Sequence, residues 1–166
     1  MEFCAHELSA LYFDIQKDTL YTSRKAGPKR RSAQTAIYEI TRGLLTAMAP
    51  VMSFTAEEAW GYLPGAKPAS VFLGSFPAKR PAADPALLER FGRLFALRAQ
   101  VLPLLEAARR DKVIGKSLEA KVVLTPGKAS WLSKEHLAEL REVLIVSQCE
   151  LAATASAKAV AVRHRL

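Results

Sequence analysis

The sequence predicts a mainly α fold, a helical bundle followed by a small α+β appendage. Three observations carry this. Apolar residues recur at three-and-four spacing through 4–23, 32–49 and 85–112, the period of a helix with one buried face. Between residues 118 and 125 the period drops to two, that of a half-buried strand. Gly27-Pro28, Pro64-Gly65 and Pro126-Gly127 punctuate the chain near the changes of pattern. Half of the 166 residues are hydrophobic, enough for a packed core.

The first predicted helix covers 4–23. Cys4, Leu8, Leu11, Tyr12, Ile15 and Thr19 form its apolar stripe, with Glu7, Asp14, Lys17 and Asp18 opposite. The stripe starts almost at Met1 with no preceding cap, so this helix reads as one that is cut into. Gly27-Pro28 breaks it. A second helix is expected from Ser32, as N-cap, to Ala49, buried along Ala33, Ile37, Ile40, Leu44 and Met48 and ended by Pro50. A third, short helix is marked by a capping box of Thr55 and Glu58 and closed by Pro64-Gly65. Residues 65–84 form a connection rich in Pro, Ala and Lys, with Val71-Phe72-Leu73 as a short extended piece. Asp84-Pro85 signs an N-cap with proline at the first helical position. The long helix that follows reaches about Lys112, carries Leu88, Phe91, Leu94, Phe95, Leu102 and Leu105 on one side, and should bend at Pro103. In the tail, Ala120, Val122 and Leu124 alternate with Glu119, Lys121 and Val123 as a strand. Residues 130–143 read as a helix with Trp131, Leu132, Leu137 and Leu140 inward. Ile145–Leu151 and Lys158–Arg163 read as further strands.

Composition limits the function. The net charge is +8 and the isoelectric point about 9.7, which suits a polyanionic partner through local enrichment and counterion release. Cys4 and Cys149 stand alone; a zinc ribbon or a redox dithiol needs paired thiols. Two lone thiols fit a reducing compartment, and the cytoplasm is the expected location. No apolar run approaches the ~20 residues that span a bilayer, and Met1-Glu2-Phe3-Cys4 lacks the basic and apolar regions of a signal peptide.

No convergent reactive set appears. His6, His136 and His164 are scattered, with no acid or nucleophile signature around them, and no H-E-x-x-H motif occurs. Ile114-Gly115-Lys116-Ser117 imitates the end of a phosphate-binding loop. The cradle needs a second glycine five residues before Gly115, and that position is Arg110. The segment also follows a helix, so it reads as a turn into the first strand. The better signal is residues 24–31, Arg-Lys-Ala-Gly-Pro-Lys-Arg-Arg, with five bases and no acid. Arg24, Lys25, Lys29, Arg30 and Arg31 are expected to form a loop that follows a phosphate backbone, and Tyr21 to stack on an unpaired base. Trp60 and Trp131 read as core.

LSALYFDIQKDTLY (8–21), SAQTAIYEI (32–40) and APVMSFTAEEAWGYLP (49–64), in this order, resemble the helical anticodon-binding region of class I aminoacyl-tRNA synthetases. The bacterial isoleucyl type is the nearest match. LEAARRDKVIGKSLEAKVVL (105–124) and VLIVSQCEL (143–151) are similar to the segment that follows this region in the same enzymes. The resemblance covers roughly residues 3–151. It implies a truncated bundle over 1–64, a connection over 65–84, a helix over 85–112 completing the bundle, and an α+β appendage over 113–166. It also implies a tRNA partner of isoleucine type, received at the anticodon stem and loop, and a missing remainder of the ligase. The HIGH and KMSKS signatures of the family's ATP site are absent from this sequence, as are the editing domain and the four-cysteine zinc module. No cofactor is therefore expected here: ATP and isoleucine would bind the missing catalytic domain, and zinc the missing terminal module. The alternatives are a free-standing helical module that binds RNA or protein, and the same domain of a valyl or leucyl synthetase.

Overall fold

The computed structural model describes residues 2–76, 83–125, 131–152 and 160–164, the last stretch by its backbone alone. The contacts divide the chain into two compact units, Met1–Ala82 and Ala83–Leu166.

The first unit is helical. The chain opens with a π-helical stretch, Phe3–Phe13, that continues as α1 (Asp14–Thr22). The predicted helix is present, but the wider winding takes its first eleven residues off the 3.6 period. Cys4 is exposed, Leu8 and Thr19 are buried, and Leu11, Tyr12 and Ile15 are half-buried. Helix α2 (Pro28–Met48) starts four residues before the expected cap, with Gly27 as N-cap and Pro28 at the first position. Ser32 lies inside the helix. Its most buried residues are Ala33, Leu45 and Thr46, whereas Ile37, Ile40, Leu44 and Met48 are half-buried.

Helix α3 (Ser53–Tyr62) also starts early, and this overturns the Thr55–Glu58 capping box: Thr55 is already within the first turn. The working carboxylate is Glu57, whose Oε2 accepts from Ser70 Oγ at 3.0 Å and the Val71 N–H at 2.9 Å. That contact fastens a 3-10 turn, Val71–Leu73, where an extended piece was expected. The unit's core is Leu45, Ala49, Ala56, Trp60, Leu63 and Val71, with Tyr38 and Ala59 against it. Trp60 is 1 % exposed, and its indole N–H donates to the Pro68 carbonyl at 2.9 Å.

The second unit is built on helix α4 (Pro85–Arg110), capped as expected by Asp84, whose carboxylate accepts from the Ala86 N–H at 3.0 Å. The helix continues through Pro103. Strand β1 (Ala120–Leu124) alternates as predicted, with Ala120, Val122 and Leu124 buried. Helix α5 (His136–Leu144) starts later than expected and ends at Ile145, which takes a left-handed conformation at φ 56° and so cannot begin a strand. Strand β2 is therefore shortened to Gln148–Leu151, and β3 covers Val160–His164. The sheet order is β2-β1-β3, with β2 parallel to β1 (Val122 opposite Cys149) and β3 antiparallel to it (Val122 opposite Val162). The turn expected at Pro126-Gly127 lies outside the described residues.

The sequence grouped residues 85–112 with the bundle; the structure gives α4 a core shared with the appendage. Leu94, Val101 and Leu105 are buried with Ile114, Ala120, Val122, Leu124, Leu140 and Leu144. Leu88 stands 60 % exposed outside this core. Arg98 is buried on α4 and donates to the Val143 carbonyl at the end of α5. A cation at that end meets the negative pole of the helix and satisfies a carbonyl that lacks an intrahelical donor.

Candidate nucleic-acid interface

The eight-residue basic stretch is divided by structure. Only Arg24–Gly27 forms a turn, closed by the Gly27 N–H on the Arg24 carbonyl at 2.9 Å. Lys29, Arg30 and Arg31 instead occupy the first turn of α2, a correction to the expected loop. Proline at the first helical position explains the shift: its fixed φ suits a helix start and its missing N–H is not needed there. The consequence is electrostatic. The N-terminal end of a helix carries roughly half a positive charge, and acids normally gather there. Here the first turn holds no acid and three cations.

The predicted residues differ in exposure. Tyr21, on the last turn of α1, is 82 % exposed. Arg24, Lys25, Lys29 and Arg31 are exposed. Arg30 is half-buried and folds back across the turn, donating from Nη1 to the Ser23 carbonyl at 3.2 Å. Its Nε is buried without a hydrogen-bond partner among the described residues. Arg31 Nη1 donates to Gln34 Oε1 at 3.3 Å.

Beyond this cationic turn, α2 and the segment after α3 enclose an open cleft of about 530 Å3. Arg31, Gln34, Tyr38 and Thr41 of α2 line it, with Leu63 and Pro64 after α3. Gly65 at φ 88° turns the chain beside the Tyr38 hydroxyl. Sequence reasoning missed this site. The signal was present as polar residues at 31, 34, 38 and 41, one face of a helix otherwise read for its apolar stripe.

The remaining candidates have structural roles. At the imitation phosphate loop, Glu119 Oε2 accepts from the Gly115 N–H at 2.8 Å and the Lys116 N–H at 3.3 Å. The protein's own carboxylate thus holds the position that a phosphate would take. His136 Nδ1 accepts from the Ser133 N–H at 3.2 Å and lies 2.8 Å from Ser133 Oγ, at the start of α5. Trp131 is half-buried, edge-on to that imidazole. Cys149 lies half-buried on β2, and burial pushes its thiol up to about 11. Cys4 is exposed. Among the described residues, no helix is long and apolar enough to cross a membrane.

Comparison with known proteins accounts for most of the chain. Residues 1–124 match the family model described as the anticodon-binding domain of tRNA ligase. The chain is 49 % identical over 152 residues to an isoleucine–tRNA ligase of Geobacter sulfurreducens, a match covering 90 % of this chain and 16 % of that protein. It is 44 % identical to the isoleucine–tRNA ligase of Syntrophotalea carbinolica, over 90 % of this chain and 16 % of the relative. With that of Exiguobacterium sibiricum the identity is 39 %, over 92 % and 17 %. The chain thus spans about a sixth of the length of these curated relatives. With a family model matched over 1–124 of its 166 residues, the chain belongs to the anticodon-binding domain family of tRNA ligases.

Proposed function

We propose that this chain binds the anticodon stem and loop of a tRNA of isoleucine type, as part of an isoleucine–tRNA ligase. The observation that carries this reading is the acid-free, cationic start of α2 beside the exposed turn at Arg24 and Lys25. Three cations at the positive pole of a helix repel one another and the pole. An anion relieves both, so the arrangement favours phosphate. Lys25, Lys29 and Arg31, all exposed, approach the backbone phosphates, and the half-buried Arg30 adds its charge beside them. Arg24 and Tyr21 flank them, and the exposed Tyr21 ring offers a face to an unpaired base. The isoleucine assignment rests on the relatives, each an isoleucine–tRNA ligase.

In this reading the chain contributes RNA binding and no aminoacylation. ATP and isoleucine are held by other parts of the ligase. In the same reading zinc is held by another part of the ligase.

A titration of tRNA against the full chain at two salt concentrations tests the reading. Five cations on phosphates give a slope of about −3.5 to −4.5 in log affinity against log salt. Isoleucine tRNA is expected to bind more tightly than a non-cognate tRNA. An affinity indifferent to salt would sink the proposal, and equal affinity for both tRNAs would remove its isoleucine part.

A further inference from the structure

Helix α3 buries one side and leaves the other bare. Ala56, Trp60 and Leu63 turn into the first unit's core. Phe54, Glu58 and Tyr62, at four-residue spacing, take the outer side, with Phe54 93 % and Tyr62 84 % exposed. The Glu57 carboxylate holds the Val71–Leu73 turn alongside this helix, with Val71 buried and Phe72 and Leu73 exposed. A Cβ at Gly74 would stand 3.6 Å from the Trp60 ring, so the chain stays against α3 as it leads to the exposed Phe76. Val51, just before α3, is also exposed. At about 200 Å2 for each side chain, the four aromatic rings present roughly 600 Å2 to solvent. The largest apolar patch on a monomer usually covers about 300–600 Å2. Val51 and Leu73 bring this one toward the ~800 Å2 that each partner buries in a standard interface.

We infer that this face pairs with the same face of a second copy of the chain. Its area and its charge select that occupant. Between Ala49 and Phe76 the only charged residues are Glu57, Glu58 and Lys67, and Glu57 is engaged by Ser70 and Val71. A surface that stacks RNA bases sets its rings among cations that track the backbone. Here Glu58 lies between Phe54 and Tyr62 and repels phosphate. A second copy brings a matching apolar face instead. The segment carries none of the chain's net positive charge, so two basic chains meet here with little repulsion across the contact. In a two-fold contact the same patch meets itself. Two opposed Glu58 carboxylates would resist that, so the axis lies toward Phe54 and Phe72 and leaves each Glu58 at the wet rim. The area is at the low end for a lasting interface, so the dimer is weak, with a Kd on the order of 10 µM. The pairing is independent of the RNA-binding reading, which rests on the basic start of α2.

Sedimentation of the full chain over about a hundredfold range of concentration around that Kd tests the inference. The mass is expected to pass from monomer to dimer. Phe54→Asp and Leu73→Asp, both at exposed positions, are each expected to weaken the dimer about tenfold or more, with helicity checked by circular dichroism. Glu58→Gln is expected to leave it unchanged or tighten it. Added salt is expected to leave the dimer intact, because it screens the net charge of the two copies. A chain that stays monomeric throughout overturns the inference, as does a dimer that survives both aspartate variants. Loss of the dimer with Glu58→Gln overturns it too, since the carboxylate would then be meeting a cation of a different surface. If tRNA dissolves the dimer and Phe54→Asp lowers tRNA affinity, the face belongs to RNA and the pairing is overturned.

Discussion

The start of α2 and the turn at Gly115–Ser117 have similar ingredients: a glycine, basic side chains and backbone N–H groups at the entrance to helical structure. They end in opposite states. At Gly115 and Lys116 the N–H groups are taken by Glu119. At Gly27–Arg31 the first helical turn has no acid of its own, and Arg30 Nε is buried without a hydrogen-bond partner among the described residues. A basic, glycine-containing turn whose backbone N–H groups are already bound by a carboxylate of the protein is a poorer anion site than one whose first helical turn holds no acid.

The largest expected effect breaks this comparison directly. Replacing Lys29, Arg30 and Arg31 together by alanine should lower tRNA affinity about 10- to 100-fold at low salt and flatten the salt slope by about two. Lys116→Ala should change affinity by less than about twofold. Filter binding at two salt concentrations measures both; equal losses would mean that the occupied turn is as much a site as the open one.

A second experiment works from the other turn. Glu119→Ala leaves the Gly115 and Lys116 N–H groups without their carboxylate and is expected to lower stability by about 1–2 kcal/mol. Urea denaturation reads this. Unchanged stability would show that the carboxylate is an incidental neighbour.

The smallest effect sharpens the contrast between the two units. Cys4 is exposed, and Cys149 is half-buried with its thiol pushed up from 9.0 to about 11. At pH 8 only about a thousandth of Cys149 is thiolate, the reactive form. Alkylation followed by mass spectrometry should modify Cys4 first. The raised value also has a stability consequence. The folded chain holds the proton more tightly than the unfolded one, so this contribution is complete below pH 9 and is lost as pH rises from 9 to about 11. Denaturation at pH 8 and pH 10 compared with Cys149→Ala isolates it.

Much of the fold was legible because the signals are local. Ala120, Val122 and Leu124 alternate and are buried in alternation. Asp84 and Pro85 begin a helix, and Asp84 caps it. The errors fall where two local rules compete or where a distant partner decides. Pro28 and Ser32 both sign a helix start, and the proline wins. Glu57 and Glu58 are adjacent acids, and only the contact with Ser70 and Val71, thirteen and fourteen residues away, identifies the one that matters. Ile145 reads as a strand residue because it is β-branched, yet it terminates α5 with φ 56°. The basic residues of the candidate site were legible by charge. The cleft was not, since two of its lining residues, Leu63 and Pro64, come from beyond another helix.

Period, charge and ordered motifs are properties of residues close in the chain, so the mainly helical, basic and anticodon-binding character of this chain could be read without coordinates. Tertiary structure decided that the long helix shares its core with the C-terminal strands, that Glu119 occupies the imitation phosphate loop, and that polar residues of α2 face a cleft. Each of those outcomes depends on which surfaces meet after folding, and burial and hydrogen bonding are settled only there.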